Sequence, residues 1–129
     1  MQQQLAWERQ PDDRQWLKPE GDDPRTLYQM LMTSVERFAE HPCFGFIPEK
    51  GMPRVHMTYR EFGELATSVG KQLRDVGVEA GDRVAMILNN SVEWAAISYG
   101  ANAIGAAYTA MYTHQHGSEW AFILDDSTP

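Results

Sequence analysis

"WAAISYGANAIGAAYTAMY", Trp94 to Tyr112, runs nineteen residues without a formal charge in a chain whose net charge is −7. Three readings compete for it: a membrane span, a phosphate loop built on its glycines, and the interior of a soluble fold. A span needs about twenty predominantly apolar residues. Here Ser98, Gly100, Asn102, Gly105 and Thr109 interrupt the run, and most of the rest is alanine. Only Ile97, Ile104 and Met111 are strongly aliphatic, too few for favourable insertion. Gly100 and Gly105 have the G-x-x-x-x-G spacing, but a phosphate loop needs a lysine and a hydroxyl directly afterwards. Ala106 and Ala107 stand there instead. What remains is an interior.

The flanks say how that interior is built. "RVAMIL", Arg83 to Leu88, is a short apolar run entered from the turn "EAGD", which predicts a strand buried on both faces. "NNS" offers Asn90 or Ser91 as a helix cap ahead of Glu93 in the first turn. A helix over 92–103 follows, its small residues permitting close approach to a sheet, and Gly105 ends it. A second strand is predicted over Ala107–Tyr112. Strand, helix and strand with tight connections make a βαβ unit, whose strands are parallel. "GSEWAFILDDS" then reads as a further helix, with Ser118 as its N-cap.

Upstream the organisation changes. "TLYQMLMTSVERFAEHP" has Thr26 three residues before Gln29, a capping-box spacing. Leu27, Met30, Leu31, Ser34, Val35 and Phe38 share one helical face, and Pro42 is expected to close the helix. "CFGFIPEKGMPRVHM" predicts a hairpin around a turn containing Pro48, Gly51 and Pro53. In "MTYREFGELATSVGKQLRDVGV", Thr58 and Glu61 form a second box, with Met57 and Phe62 at the staple positions. Phe62, Leu65, Ala66, Val69 and Leu73 make the apolar stripe, and Gly77 suits a left-handed C′ residue. The fold class is therefore α/β, with parallel strands, βαβ units and a small β-hairpin.

Composition narrows the setting. The chain has 129 residues, one domain's worth. Eighteen acidic against eleven basic residues argue against a nucleic-acid partner. The single cysteine, Cys43, rules out an internal disulfide framework and fits a reducing compartment. The start "MQQQLAWERQPDDRQ" has no apolar segment behind a basic opening, so it does not read as a signal peptide, and a cytoplasmic address follows by default. Residues 1–25 form a polar arm rich in Pro, Asp and Gln. Its Trp7 and Trp16 offer anchors to its own chain or to a second subunit, as in a homodimer.

The order of segments is then recognisable. "MTYREFGELATSVGKQLRDVGVEAGDRVAMILNNSVEWAAISYGANAIGAAYTAMY", followed by "AFILDDS", resembles the N-terminal part of the AMP-forming acyl-CoA synthetases of the adenylate-forming superfamily. "NNSVEW" followed by "YTAMY" is most like the branch that activates long-chain fatty acids. The resemblance covers about residues 26–127 and implies that 26–129 is the opening portion of a truncated AMP-binding domain. It implies ATP, Mg²⁺ and coenzyme A for the full-length enzyme, which makes an acyl-adenylate from a fatty acid and then an acyl-CoA. A lipid substrate would place such an enzyme peripherally at a membrane, without a transmembrane segment. The family's phosphate loop, Mg²⁺-holding glutamate, ribose-binding aspartate and C-terminal lysine all lie further on. No catalytic, cofactor-binding or metal-binding residue of the family maps onto this chain, and the 129 residues alone are expected to be inactive. Two alternatives stay open: a ligase for short or aromatic acids, and a non-catalytic chain that binds a partner.

Several residues invite sharper readings. His114 and His116 with Glu119 offer metal-ligand types, though a polar loop accounts for them without further clustered ligands. Cys43 near His41 has the composition of a thiol nucleophile, against the commoner outcome of a small buried cysteine. Asp125 and Asp126 are adjacent carboxylates, expected to face solvent at a helix end. Tyr99, Tyr108, Tyr112 and Trp120 are candidates to line an acyl tunnel, and core packing explains them as well.

Overall fold

A computed structural model describes residues 26–129. Two helices begin on reciprocal capping boxes. Helix α1 (Leu27–Phe38) starts where the Gln29 amide donates to Thr26 Oγ1 at 3.1 Å and the Thr26 amide donates to Gln29 Oε1 at 3.1 Å. Helix α2 (Tyr59–Asp75) repeats the arrangement: the Glu61 amide donates to Thr58 Oγ1 at 3.2 Å and the Thr58 amide to Glu61 Oε2 at 2.8 Å. Each box satisfies two amides that the helix itself leaves without a partner.

Between them lies the expected hairpin. Strand β1 (Pro42–Phe46) pairs antiparallel with β2 (Val55–Thr58), with an irregularity between Pro42 and Phe44. Pro42 does not close α1, which ends at Phe38 with Ala39 as its C-cap. It opens β1 instead, a place where its missing N–H breaks no ladder.

The uncharged run divides as its flanks imply. Strand β3 (Arg83–Ile87) and strand β4 (Ala107–Met111) are parallel, in register from Arg83 opposite Ala107 to Ile87 opposite Met111. Helix α3 (Val92–Ala103) connects them, and Ser91 rather than Asn90 caps it, its Oγ accepting from the Trp94 amide at 3.2 Å. Both strands stop one residue earlier than the apolar run. Tyr112 leaves the ladder because its amide donates to Gln115 Oε1 at 2.9 Å. β3 is also less covered than its composition implies: Met86 is buried, whereas Ile87 is 40% exposed and the adjoining Leu88 37%.

Helix α4 (Gly117–Ser127) has its N-cap two residues before the expected one: His116, not Ser118, holds that position. Glu119 decides this, because its Oε2 accepts from the His116 amide at 2.8 Å and its own amide donates to the His116 carbonyl at 2.9 Å.

The core sits among the helices. Leu31, Phe62, Ala66, Val92, Ala95 and Ala96 form one buried cluster, with Cys43, Phe44 and Tyr99 packed against it. Phe62 meets two rings in edge-to-face arrangements, Phe44 at 4.7 Å and Tyr99 at 5.7 Å between centroids. Tyr28 Oη and Thr67 Oγ1, 2.8 Å apart, tie α1 to α2. The small residues of α3 make their closest approach to helix α2 rather than to the sheet. A Cβ on Gly100 would lie 2.9 Å from Val69 Cγ1 and 3.0 Å from the Gly70 nitrogen. One on Gly70 would lie 2.9 Å from the Gly100 carbonyl oxygen. Gly77 (φ 99°) and Gly105 (φ 80°) end α2 and α3 in the left-handed region, as C′ residues do.

Because that contact is backbone against backbone, it has little room to relax. Gly100→Ala is expected to destabilise the chain by about 1–3 kcal/mol, read from the denaturation midpoint in urea. A midpoint unchanged within error would show that α2 and α3 are not in contact there.

Candidate functional site

In a parallel α/β arrangement, ligands gather outside the carboxyl ends of the strands. That edge carries a cleft of about 200 Å³, lined by Leu88, Asn90, Trp94, Ala110, Met111 and Tyr112. Leu88 and Asn90 follow β3, Ala110 and Met111 end β4, and Trp94 rises from the first turn of α3. The Trp94 ring meets the Tyr108 ring edge-on at 5.7 Å, which fixes the indole against the strand. Thr113 Oγ1 donates to Asn89 Oδ1 at 2.9 Å, joining the two segments that leave the sheet. Tyr112 forms the open rim, 80% exposed, and its carbonyl accepts from Trp120 Nε1 at 2.8 Å. The side-chain lining is uncharged, apolar but for the Asn90 amide and the Tyr112 hydroxyl.

The residues singled out by chemistry do not converge there. His114 and His116 are both exposed, and the Glu119 carboxylate is engaged at the His116 amide. Among the described residues no three His, Cys, Asp or Glu side chains are arranged to hold a metal ion. Cys43 is half-buried against the core, and burial pushes its thiol above the ordinary value. The His41 ring stands edge-on to Phe38 at 5.8 Å. Asp125 and Asp126 are exposed near the end of α4. The four aromatics separate. Tyr99 packs on Phe62, where burial first and neighbouring charge second raise its phenol. Tyr108 packs on Trp94, and only Tyr112 and Trp120 meet at the rim. Trp7 and Trp16 lie outside the described residues.

Neither glycine of the G-x-x-x-x-G spacing presents amides to an anion. Gly100 is buried inside α3 against Val69 and Gly70, and the Gly105 amide donates to the Asn102 carbonyl. No helix among the described residues is long and apolar enough to cross a membrane. Sequence reasoning missed Leu88, Asn90 and Trp94 as cleft residues. The available signal was position: each sits directly after a parallel strand or in the turn that follows it.

A parallel strand pair crossed by a helix, with a hairpin and two helices before it, has counterparts among solved structures. The solved N-terminal domain of FACL13 from Mycobacterium tuberculosis superposes with a TM-score of 0.73 at 31% identity, over 81% of this chain and 26% of that one. Residues 31–129 match the family of AMP-binding enzymes, and the chain belongs to it. The long-chain-fatty-acid–CoA ligase FadD13 of Mycobacterium tuberculosis is 40% identical over 73 residues, 57% of this chain and 14% of that protein. The long-chain-fatty-acid–CoA ligase ACSBG1 of Bos taurus is 27% identical over 127 residues, 96% of this chain and 17% of that protein. The chain thus spans about one-sixth of the length of these relatives or less.

The environment of Cys43 makes a chemical prediction. A thiol whose pKa is raised holds less thiolate at any pH below it, and only the thiolate is nucleophilic. Cys43 is therefore expected to react with iodoacetamide at pH 8 more slowly than free glutathione, and to accelerate as pH rises past 9. Labelling as fast as glutathione at pH 8, followed by intact mass, would contradict its burial.

Proposed function

We propose that this chain is the opening structural portion of an ATP-dependent ligase that activates long-chain fatty acids. Residues 1–25 serve as an arm, and 26–129 as the start of the AMP-binding domain. The observation that carries the reading is the 40% identity over 73 residues to a long-chain-fatty-acid–CoA ligase. In such an enzyme the acid's carboxylate displaces pyrophosphate from ATP to form an acyl-adenylate. The thiol of coenzyme A then displaces AMP to form the thioester. ATP, Mg²⁺ and coenzyme A would be bound by groups outside these residues. The lone cysteine supports a reducing, cytoplasmic setting.

The contribution of this portion is placement. The α2–α3 contact holds the parallel pair against the helical layer, and the pair presents its carboxyl edge as one apolar wall. In this reading the donors that stabilise charge developing at the α-phosphorus of ATP come from other residues, since such donors must be aimed at that group.

Purified 129-residue chain mixed with ATP, Mg²⁺ and palmitate is accordingly expected to release pyrophosphate at the rate of a no-enzyme blank. ATP-dependent release above the blank would overturn the assignment of the chemistry to other residues. A polypeptide carrying the rest of the ligase is expected to release pyrophosphate with palmitate in preference to acetate or benzoate. Preference for either of those acids would replace the long-chain reading with one of a short-acid or aryl-acid ligase.

A further inference from the structure

Helices α2 and α3 each lead into a strand of the parallel pair, and the turns that leave them are joined to each other. Past Gly77 the chain turns through 79–82 into β3, and past Gly105 it runs through the buried Ala106 into β4. The first turn closes on itself. The Asp82 amide donates to the Glu79 carbonyl at 3.1 Å, and Asp82 Oδ2 accepts from the Glu79 amide at 2.7 Å. Two hydrogen bonds then cross to the second turn: the Gly81 amide donates to the Gly105 carbonyl at 2.9 Å, and the Ala107 amide donates to the Asp82 carbonyl at 2.8 Å. Gly81 (φ 92°) and Gly105 (φ 80°) both lie in the left-handed region, and a Cβ on Gly105 would stand 3.1 Å from Ala80 Cβ.

The strands select their own register weakly. Every residue of a ladder offers the same N–H and C=O, and a slip of two residues keeps each side chain on its own face. Strand β4 adds little discrimination at Ala107, Thr109 and Ala110, which are small. The crossing bonds between the turns differ in kind. They need a left-handed glycine in each turn at once, and they form where Asp82 stands one step before the Arg83–Ala107 pairing. Only that register provides both.

We infer that the 79–82 turn is a clamp that sets the register of the parallel pair, and that the Asp82 carboxylate keeps it closed. The side chain acts through the backbone. By accepting from the Glu79 amide it holds the Gly81 amide and its own carbonyl where the second turn meets them. Asp82 is a positioning residue for the pair as a whole. The inference rests on bonds made within 79–107 and is independent of the ligase reading.

Amide hydrogen exchange of the 129-residue chain, resolved by residue, tests it. In the unsubstituted chain the Gly81 and Ala107 amides are expected to exchange as slowly, within about threefold, as the hydrogen-bonded amides of β3. Asp82→Ala is expected to speed Gly81, Ala107 and the hydrogen-bonded amides of β4 together, by about threefold to tenfold, and to leave α1 unchanged. Asp82→Asn keeps an oxygen acceptor at the same reach and is expected to stay within about twofold of the unsubstituted chain. Gly105→Ala reaches the clamp from the other turn and is expected to speed the same amides by about tenfold. Four outcomes would overturn the inference: Gly81 and Ala107 exchanging faster than β3 in the unsubstituted chain, Asp82→Ala speeding the Glu79 amide alone, Asp82→Ala stripping α1 and β4 together, or Asp82→Asn matching Asp82→Ala. The first comparison needs no variant, so it decides even if a substituted chain fails to fold.

Discussion

The approach of α2 to α3 at Gly70 and Gly100 is the contact on which the other placements depend. With a Cβ on Gly100 set to fall 3.0 Å from the Gly70 nitrogen, the two backbones leave no room for a side chain between them. Helix α3 is also the crossover between β3 and β4, so fixing it on α2 fixes the parallel pair relative to the helical layer. Helix α2 in turn carries α1 through the Tyr28–Thr67 hydrogen bond and the hairpin through Phe44 on Phe62. Interiors packed at crystal-like density pass displacement on rather than absorb it. A shift at this one crossing would move the strand ends and hence the cleft.

What could be read from the sequence was local chemistry. Thr26 with Gln29 and Thr58 with Glu61 mark their helices because the box closes within three residues and needs no tertiary partner. The parallel pair was legible because short connections around a helix leave little alternative. The α4 start was misplaced because Ser118 resembles a cap, while the residue that decides the position is Glu119, three beyond His116. The Gly70–Gly100 contact could not be read at all. It joins residues thirty apart, and the glycines and alanines of α3 are equally compatible with packing on a sheet. The cleft was hidden for a similar reason, since its walls come from two separate strand ends and a helix turn.

Apolar burial is uneven across the structure. The cluster around Phe62 and Ala66 is enclosed by α1, α2 and α3. Ile87, Leu88, Tyr112 and Phe122, at the carboxyl edge and on α4, remain open to water. Enclosing one large aliphatic side chain contributes roughly 1.5–3 kcal/mol, so among the described residues the stabilisation from burial concentrates where the helices cross. Helix α3 lies on the enclosed side, where six of its residues are buried.

The same unevenness bears on chemistry. Several side chains with reactive potential are engaged in structure: Cys43 by burial, His41 against the Phe38 ring, Glu119 at the His116 amide, Tyr99 on Phe62. Gly100, half of the apparent phosphate-loop spacing, is filled by α2. What the described residues do show is placement: the α2–α3 contact sets where the carboxyl edge of the parallel pair stands.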